Sequence, residues 1–137
     1  MHNFDYMIEM NLNLFNKILD NRTINLTTYR KSGDVVHTPV WVVTDGTLGY
    51  VKTSKSAGKV KRIKNNHKAI IAPCTNSGKI TGDKIEIKAE VVELSHTDYE
   101  IIDKKFRTKY NLLYIALKLF RQMGSYDKSE IILLKEK

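Results

Sequence analysis

Apolar and polar positions recur with two different periods along this 137-residue chain, and the change of period marks its elements. Between Asn11 and Asn21, Leu12, Phe15, Ile18 and Leu19 fall on one face at helical spacing, which predicts an amphipathic helix. The period then shortens. Thr23 to Arg30 is rich in β-branched residues and reads as a strand, Lys31-Ser32-Gly33-Asp34 as a hairpin turn, and Val35 to Thr44 as a second strand. Asp45-Gly46 is a strong hairpin signal that turns Leu48 to Thr53 back as the third strand. The loop Ser54 to Ser56 leads into a short basic helix over Ala57 to Asn66, with Val60 and Ile63 as its narrow apolar stripe. Lys68 to Thr75 predicts a further strand, closed by the turn Asn76-Ser77-Gly78. Ile85 to Leu94 alternates apolar and polar positions, as a half-exposed strand does. Thr97 or Asp98 is the expected cap of a helix running to about Tyr110. A second helical stretch follows through Leu112, Ile115, Ala116, Leu119 and Phe120, ending near Gly124, and Ser129 to Lys135 is a last strand.

Hairpin-joined antiparallel strands with helices at the start, in the middle and near the end predict an α+β fold, mainly β: a small barrel with helical decoration. Strands and helices alternate too rarely for a doubly wound parallel sheet. The length suits one domain over 1–137. Apolar runs such as Val40 to Val43 and Ile131 to Leu134 are far too short to span a bilayer. Met1 to Glu9 carries Asp5 and Glu9 and lacks a basic start followed by an apolar run, so a cytoplasmic protein is expected. Cys74 is the only cysteine, which excludes an internal disulfide and a cysteine-rich zinc site. Its expected place is a strand, as a small apolar residue. The four histidines show no metal-binding spacing, and no protein-bound metal is expected.

Charge changes the picture more than composition does. The net charge is +8, and the window from Gly46 to Gly82 holds eight bases (Lys52, Lys55, Lys59, Lys61, Arg62, Lys64, Lys68, Lys79) and no acid. The rest of the chain is balanced, with fifteen bases against fifteen acids. A neutral body with one basic segment points to a defined anion site such as a cofactor phosphate, whereas attraction to a polyanion spreads its charge. Within the window a strand ends in Thr53-Ser54, a short loop follows, and a helix opens on Gly58-Lys59. A phosphate there would meet backbone N–H groups, the two hydroxyls and the Lys59 charge. The stretch is not a P-loop, and a solvated basic surface helix accounts for the same residues. A nucleic-acid-binding role is the other reading of the charge. It lacks stacking residues, since Tyr50 is the only aromatic in the window.

The segment His37-Thr38-Pro39-Val40-Trp41 places a proline inside a strand, two residues before the only tryptophan. It is either an edge strand with one large core side chain, or a strand whose free backbone groups meet a planar ligand. His37 could serve as an acid or base, although nothing in the sequence orients it. No nucleophile–base arrangement and no paired carboxylates stand out. The catalytic residues stay unassigned, and any catalysis is expected to use a cofactor.

Taken in order, Thr38-Pro39-Val40-Trp41, Asp45-Gly46, a strand ending at Thr53, Gly58-Lys59-Val60-Lys61-Arg62-Ile63, Asn65-Asn66 and Ala72-Pro73-Cys74 resemble the pyridoxamine 5'-phosphate oxidase-like split-barrel flavoproteins. The deazaflavin (coenzyme F-420)-dependent subgroup is the nearest in pattern. The similarity runs from about Thr27 to the C-terminus and includes Lys109-Tyr110-Asn111-Leu112. It implies a six-stranded antiparallel split β-barrel (an FMN-binding split barrel) with flanking helices, a homodimer, and cofactor sites at the subunit interface. It also implies FMN or coenzyme F-420 as cofactor and hydride transfer to a small conjugated acceptor. A non-catalytic flavin carrier or sensor is the alternative. Thr53, Ser54 and Lys59 would hold the phosphate, Lys52 sits where the family often has a base, and the backbone of Thr38, Pro39, Val40 and Trp41 would face the ring. True pyridoxamine phosphate oxidases carry Ser-Arg-Lys where this chain has Ala57-Gly58-Lys59, and they have a longer C-terminal region for the vitamin. The resemblance therefore does not extend to vitamin B6 oxidation.

Overall fold

The computed structural model describes residues 10, 13–123 and 129–137. A first helix, α1 (13–19), precedes β1 (Ile24–Tyr29), β2 (Val35–Val40), β3 (Val43–Asp45) and β4 (Leu48–Ser54). Then come α2 (Gly58–Asn65), β5 (Lys68–Pro73), β6 (Ile85–Val92), α3 (His96–Met123) and β7 (Ser129–Glu136). The strands form one antiparallel sheet in the order β2-β1-β5-β6-β7-β4-β3, which curls into a half-barrel. Seven strands stand where six were expected, and the barrel is open.

The extra strand comes from a break at Trp41 and Val42, inside the predicted Val35 to Thr44 strand. The backbone groups of Val42 are satisfied from α3 instead of by a neighbouring strand. Its N–H donates to the Tyr110 hydroxyl at 2.8 Å, and its carbonyl accepts from Lys109 Nζ at 2.7 Å. With those groups paired to side chains, the chain can leave one sheet edge and begin the other.

The core fills the concave side of the sheet. Ile24, Leu26, Val51, Ile71, Ile87, Ile132 and Leu134 meet there, closed by Phe15, Ile18 and Leu19 of α1 and by Ile63 of α2. The alternation read in Ile85 to Leu94 appears as buried Ile87 and Ala89 between exposed Glu86 and Lys88. Space is tight at Gly49, where α1 meets β4: a Cβ there would stand 3.0 Å from Leu19 Cδ1 and would have to displace that side chain. A second cluster lies on the opposite side of the sheet, where Ile102, Phe106, Tyr110 and Tyr114 of α3 pack on Val43 with Trp41 and Tyr50.

α3 is one backbone run with a break at Asn111, whose φ of 57° and ψ of −132° are non-helical. The expected boundary between two helical stretches falls there. The cap differs from expectation: Ser95 Oγ accepts from the Asp98 N–H at 3.1 Å, so neither Thr97 nor Asp98 closes the end. Cys74 lies just beyond β5 in a single bridge to Ile80, half-buried, outside the strand expected to hold it. Burial pushes its thiol up. Asn11, Leu12 and Gly124, and the side chains of Leu119 and Phe120, lie outside the described residues.

Candidate functional site

Among the described residues β3 pairs only with Leu48 to Tyr50, and the edge of β4 from Val51 to Ser54 has no partner strand on that side. Among the same residues β2 pairs only with β1 and leaves its other edge open too. A cavity of about 460 Å³ lies between these edges, lined by Pro39, Val40, Trp41, Lys52, Thr53 and Lys59, with Arg22, Thr23, Asn76, Leu113 and Leu117. Six of the eight residues singled out in the sequence are thus brought together. Thr38 and Ser54 are not among the lining residues. Ser54 Oγ instead pairs with Ser56 Oγ at 3.1 Å.

Each wall has a local cause. The start of α2 has Ala57 at its cap position, with no side chain to satisfy the first turn and no acid in it. The helix is held down by Val60 and Ile63 and by Arg62 Nε, which donates to Thr28 Oγ1 of β1 at 2.7 Å. That anchoring fixes where Lys59 leaves the helix. The Trp41 ring stacks on Tyr110, with centroids 4.3 Å apart and planes at 6°. Tyr110 in turn is tied to the Arg22 carbonyl at 2.8 Å and the Val42 carbonyl at 3.0 Å, which share its one proton.

Lys109 supports the same corner. Its ammonium donates to the carbonyls of Leu19, Asn21 and Val42 at 3.2, 2.8 and 2.7 Å, closing the end of α1 onto the β2–β3 break. Burial among these neutral oxygens pulls its pKa down.

Lys52 is less simple than a free cation in a wall. Its Nζ lies 3.4 Å from Asp103 Oδ1 and 2.9 Å from the Tyr114 hydroxyl, above the Tyr99 and Tyr114 rings. The floor is polar too, with Thr23 Oγ1 donating to Asn76 Oδ1 at 2.7 Å. His37, unoriented in the sequence, is oriented here. Thr27 Oγ1 accepts from Asn25 Nδ2 at 3.0 Å and hydrogen-bonds with His37 Nδ1 at 2.8 Å. The exposed ring is held there outside the cavity lining.

Sequence reasoning missed Arg22, Thr23, Asn76, Leu113 and Leu117 at this site. The first two adjoin the start of β1 and carried no motif. The two leucines looked like ordinary helix-face positions.

The sequence matches no protein-family model and no curated protein. Solved structures share the fold. The heme storage protein HutZ of Vibrio cholerae superposes with a TM-score of 0.65 at 11% identity, over 99% of this chain and 92% of that one. A candidate pyridoxamine 5'-phosphate oxidase from Listeria innocua gives 0.59 at 13%, over 98% and 94%. An F-420 reductase gives 0.55 at 14%, over 90% and 93%. The chain has the fold of the pyridoxamine 5'-phosphate oxidase-like split-barrel proteins.

Proposed function

We propose that this protein is an oxidoreductase that holds FMN or the deazaflavin coenzyme F-420 and passes a hydride to a small conjugated acceptor. The observation that carries the reading is the cavity between two open strand edges. It joins Pro39, Val40 and Trp41 to Thr53 and Lys59, with Arg22 beside them. Its volume falls within the roughly 300–1,000 Å³ of ordinary ligand pockets.

The residues fit a phosphate-bearing planar ligand. Arg22, Lys52 and Lys59 line the cavity, and among the described residues no carboxylate does. The uncapped start of α2 adds N–H donors and the positive end of a helix dipole. Trp41, Val40 and the two leucines offer apolar surface to a ring, and free strand edges offer N–H and C=O groups to its polar rim. Thr53 and Lys59 would hold the phosphate, with Ser54 at the end of the same strand, while Thr38 would act through its backbone. Once reduced by an external donor, such a ring would supply the hydride when bound.

The same reading takes the chain 1–137 as one domain that works in the cytoplasm as a homodimer. Leu112 is 75% exposed, Leu113, Ile115 and Leu117 are exposed too, and Leu113 and Leu117 line the cavity, as a face awaiting a second copy would.

Titration of the purified chain with FMN and with coenzyme F-420 tests the proposal. Binding of one near one per subunit, weakened at least tenfold by Lys59→Ala, supports it. Binding of neither overturns it, and cofactor binding without reduction of any acceptor would leave the carrier or sensor reading in its place.

A further inference from the structure

Asp103 is the one buried charged residue among the described residues, with 3% exposure. It lies in the first half of α3 and does not line the cavity, yet both its oxygens reach cations. Lys52 Nζ lies 3.4 Å from Oδ1 and Arg107 Nη2 2.9 Å from Oδ2. The Tyr114 hydroxyl also donates to Oδ1. A carboxylate is costly to keep in such a place, and its partners must compensate its lost hydration. One of those partners, Lys52, is only 10% exposed and forms part of the cavity wall. Lys52 thus lines the cavity while its charge is opposed from behind the wall by a buried carboxylate.

We propose that Asp103 is a specificity-determining residue: by pairing with Lys52 it keeps the cavity's positive charge matched to a ligand with a single phosphate, and against one with several anionic groups. The inference rests on the cofactor reading above and chooses within it. A lone phosphate is met by Arg22, Lys59 and the start of α2. Further anionic groups would need Lys52, whose charge Asp103 has already opposed. FMN carries one phosphate monoester, whereas coenzyme F-420 carries a phosphodiester and a carboxylate-bearing tail. The native chain therefore favours FMN.

Two substitutions outside the cavity lining give opposite signs. Asp103→Asn removes the opposing charge and should shrink the preference for FMN over coenzyme F-420 by about five- to tenfold. Arg107→Gln, on the exposed side of the same carboxylate, leaves Asp103 more fully available to Lys52 and should widen that preference by about twofold. Riboflavin, which has no phosphate, is the control and should bind all three chains alike.

The experiment measures dissociation constants of FMN, coenzyme F-420 and riboflavin for the native chain and both variants. Opposite shifts in the FMN to F-420 ratio with riboflavin constant support the proposal. An unchanged ratio, or riboflavin shifting by the same factor as FMN, overturns it and makes Asp103 a packing element only. If Asp103→Asn does not fold, the direction of the Arg107→Gln shift decides alone. A native chain that binds none of the three fails earlier, at the cofactor reading, and that failure is distinct from an unchanged ratio.

Discussion

At the scale of single residues, the stability of the site's corner depends on two side chains of α3. The Tyr110 hydroxyl is the partner of the buried Val42 N–H, so Tyr110→Phe leaves that donor unsatisfied. Loss of a buried partner costs about 1–3 kcal/mol, to be read from urea unfolding at pH 8. The same residue sets an alkaline limit. Burial, opposed in part by its hydrogen bond with Val42 and by Arg22, pushes the Tyr110 phenol up to about 12, and burial with the Asp103 bond also raises Tyr114. Below pH 10 native and unfolded chains both keep these protons, and the contribution is complete. Between pH 10 and 12 the unfolded chain releases them and the native chain does not, so stability falls with rising pH. The fall should be smaller in Tyr110→Phe, and absorbance titration should show some of the seven tyrosines ionising only as the fold is lost. Lys109 acts in the other direction, since its pKa is pulled down and its contribution improves as pH rises toward its unfolded value.

At the scale of elements, most strands and turns were legible because their signals are local. The alternation in β6, the Asp45-Gly46 turn with Gly46 at a φ of 62°, and the Val60 and Ile63 stripe of α2 each depend on residues a few positions apart. The Val35 to Thr44 strand reads as continuous because every residue in it suits a strand. Its break at Trp41 depends on Lys109 and Tyr110, sixty-seven and sixty-eight positions beyond Val42. The bend in α3 is a third case. Asn111 at positive φ holds a conformation that a β-branched residue resists, so Asn111→Val should cost about 1–3 kcal/mol. Asn111→Gly should be as stable as the native chain or more so. Thermal unfolding of the three chains side by side checks both expectations.

At the scale of the whole molecule, no helix of the described residues is long and apolar enough to cross a membrane. The homodimer proposed above would cover the exposed apolar residues after Asn111. Leu112→Glu should shift a native dimer toward monomer in size-exclusion chromatography with light scattering. It should also weaken cofactor binding, because Leu113 and Leu117 of the same stretch line the cavity. A monomeric native chain with full cofactor affinity would contradict both. By itself the sequence determined the order of elements, the mainly β character, and the local chemistry of Thr53, Lys59 and the Pro39 to Trp41 segment. Spacing and turn residues express these within a few positions. Only the tertiary structure decided that β2 and β4 leave facing open edges, that Arg22 and Asn76 join the cavity, and that Asp103 pairs with Lys52 fifty-one residues away. Strand register and helix docking fix such contacts, and both arise from the whole core packing at once.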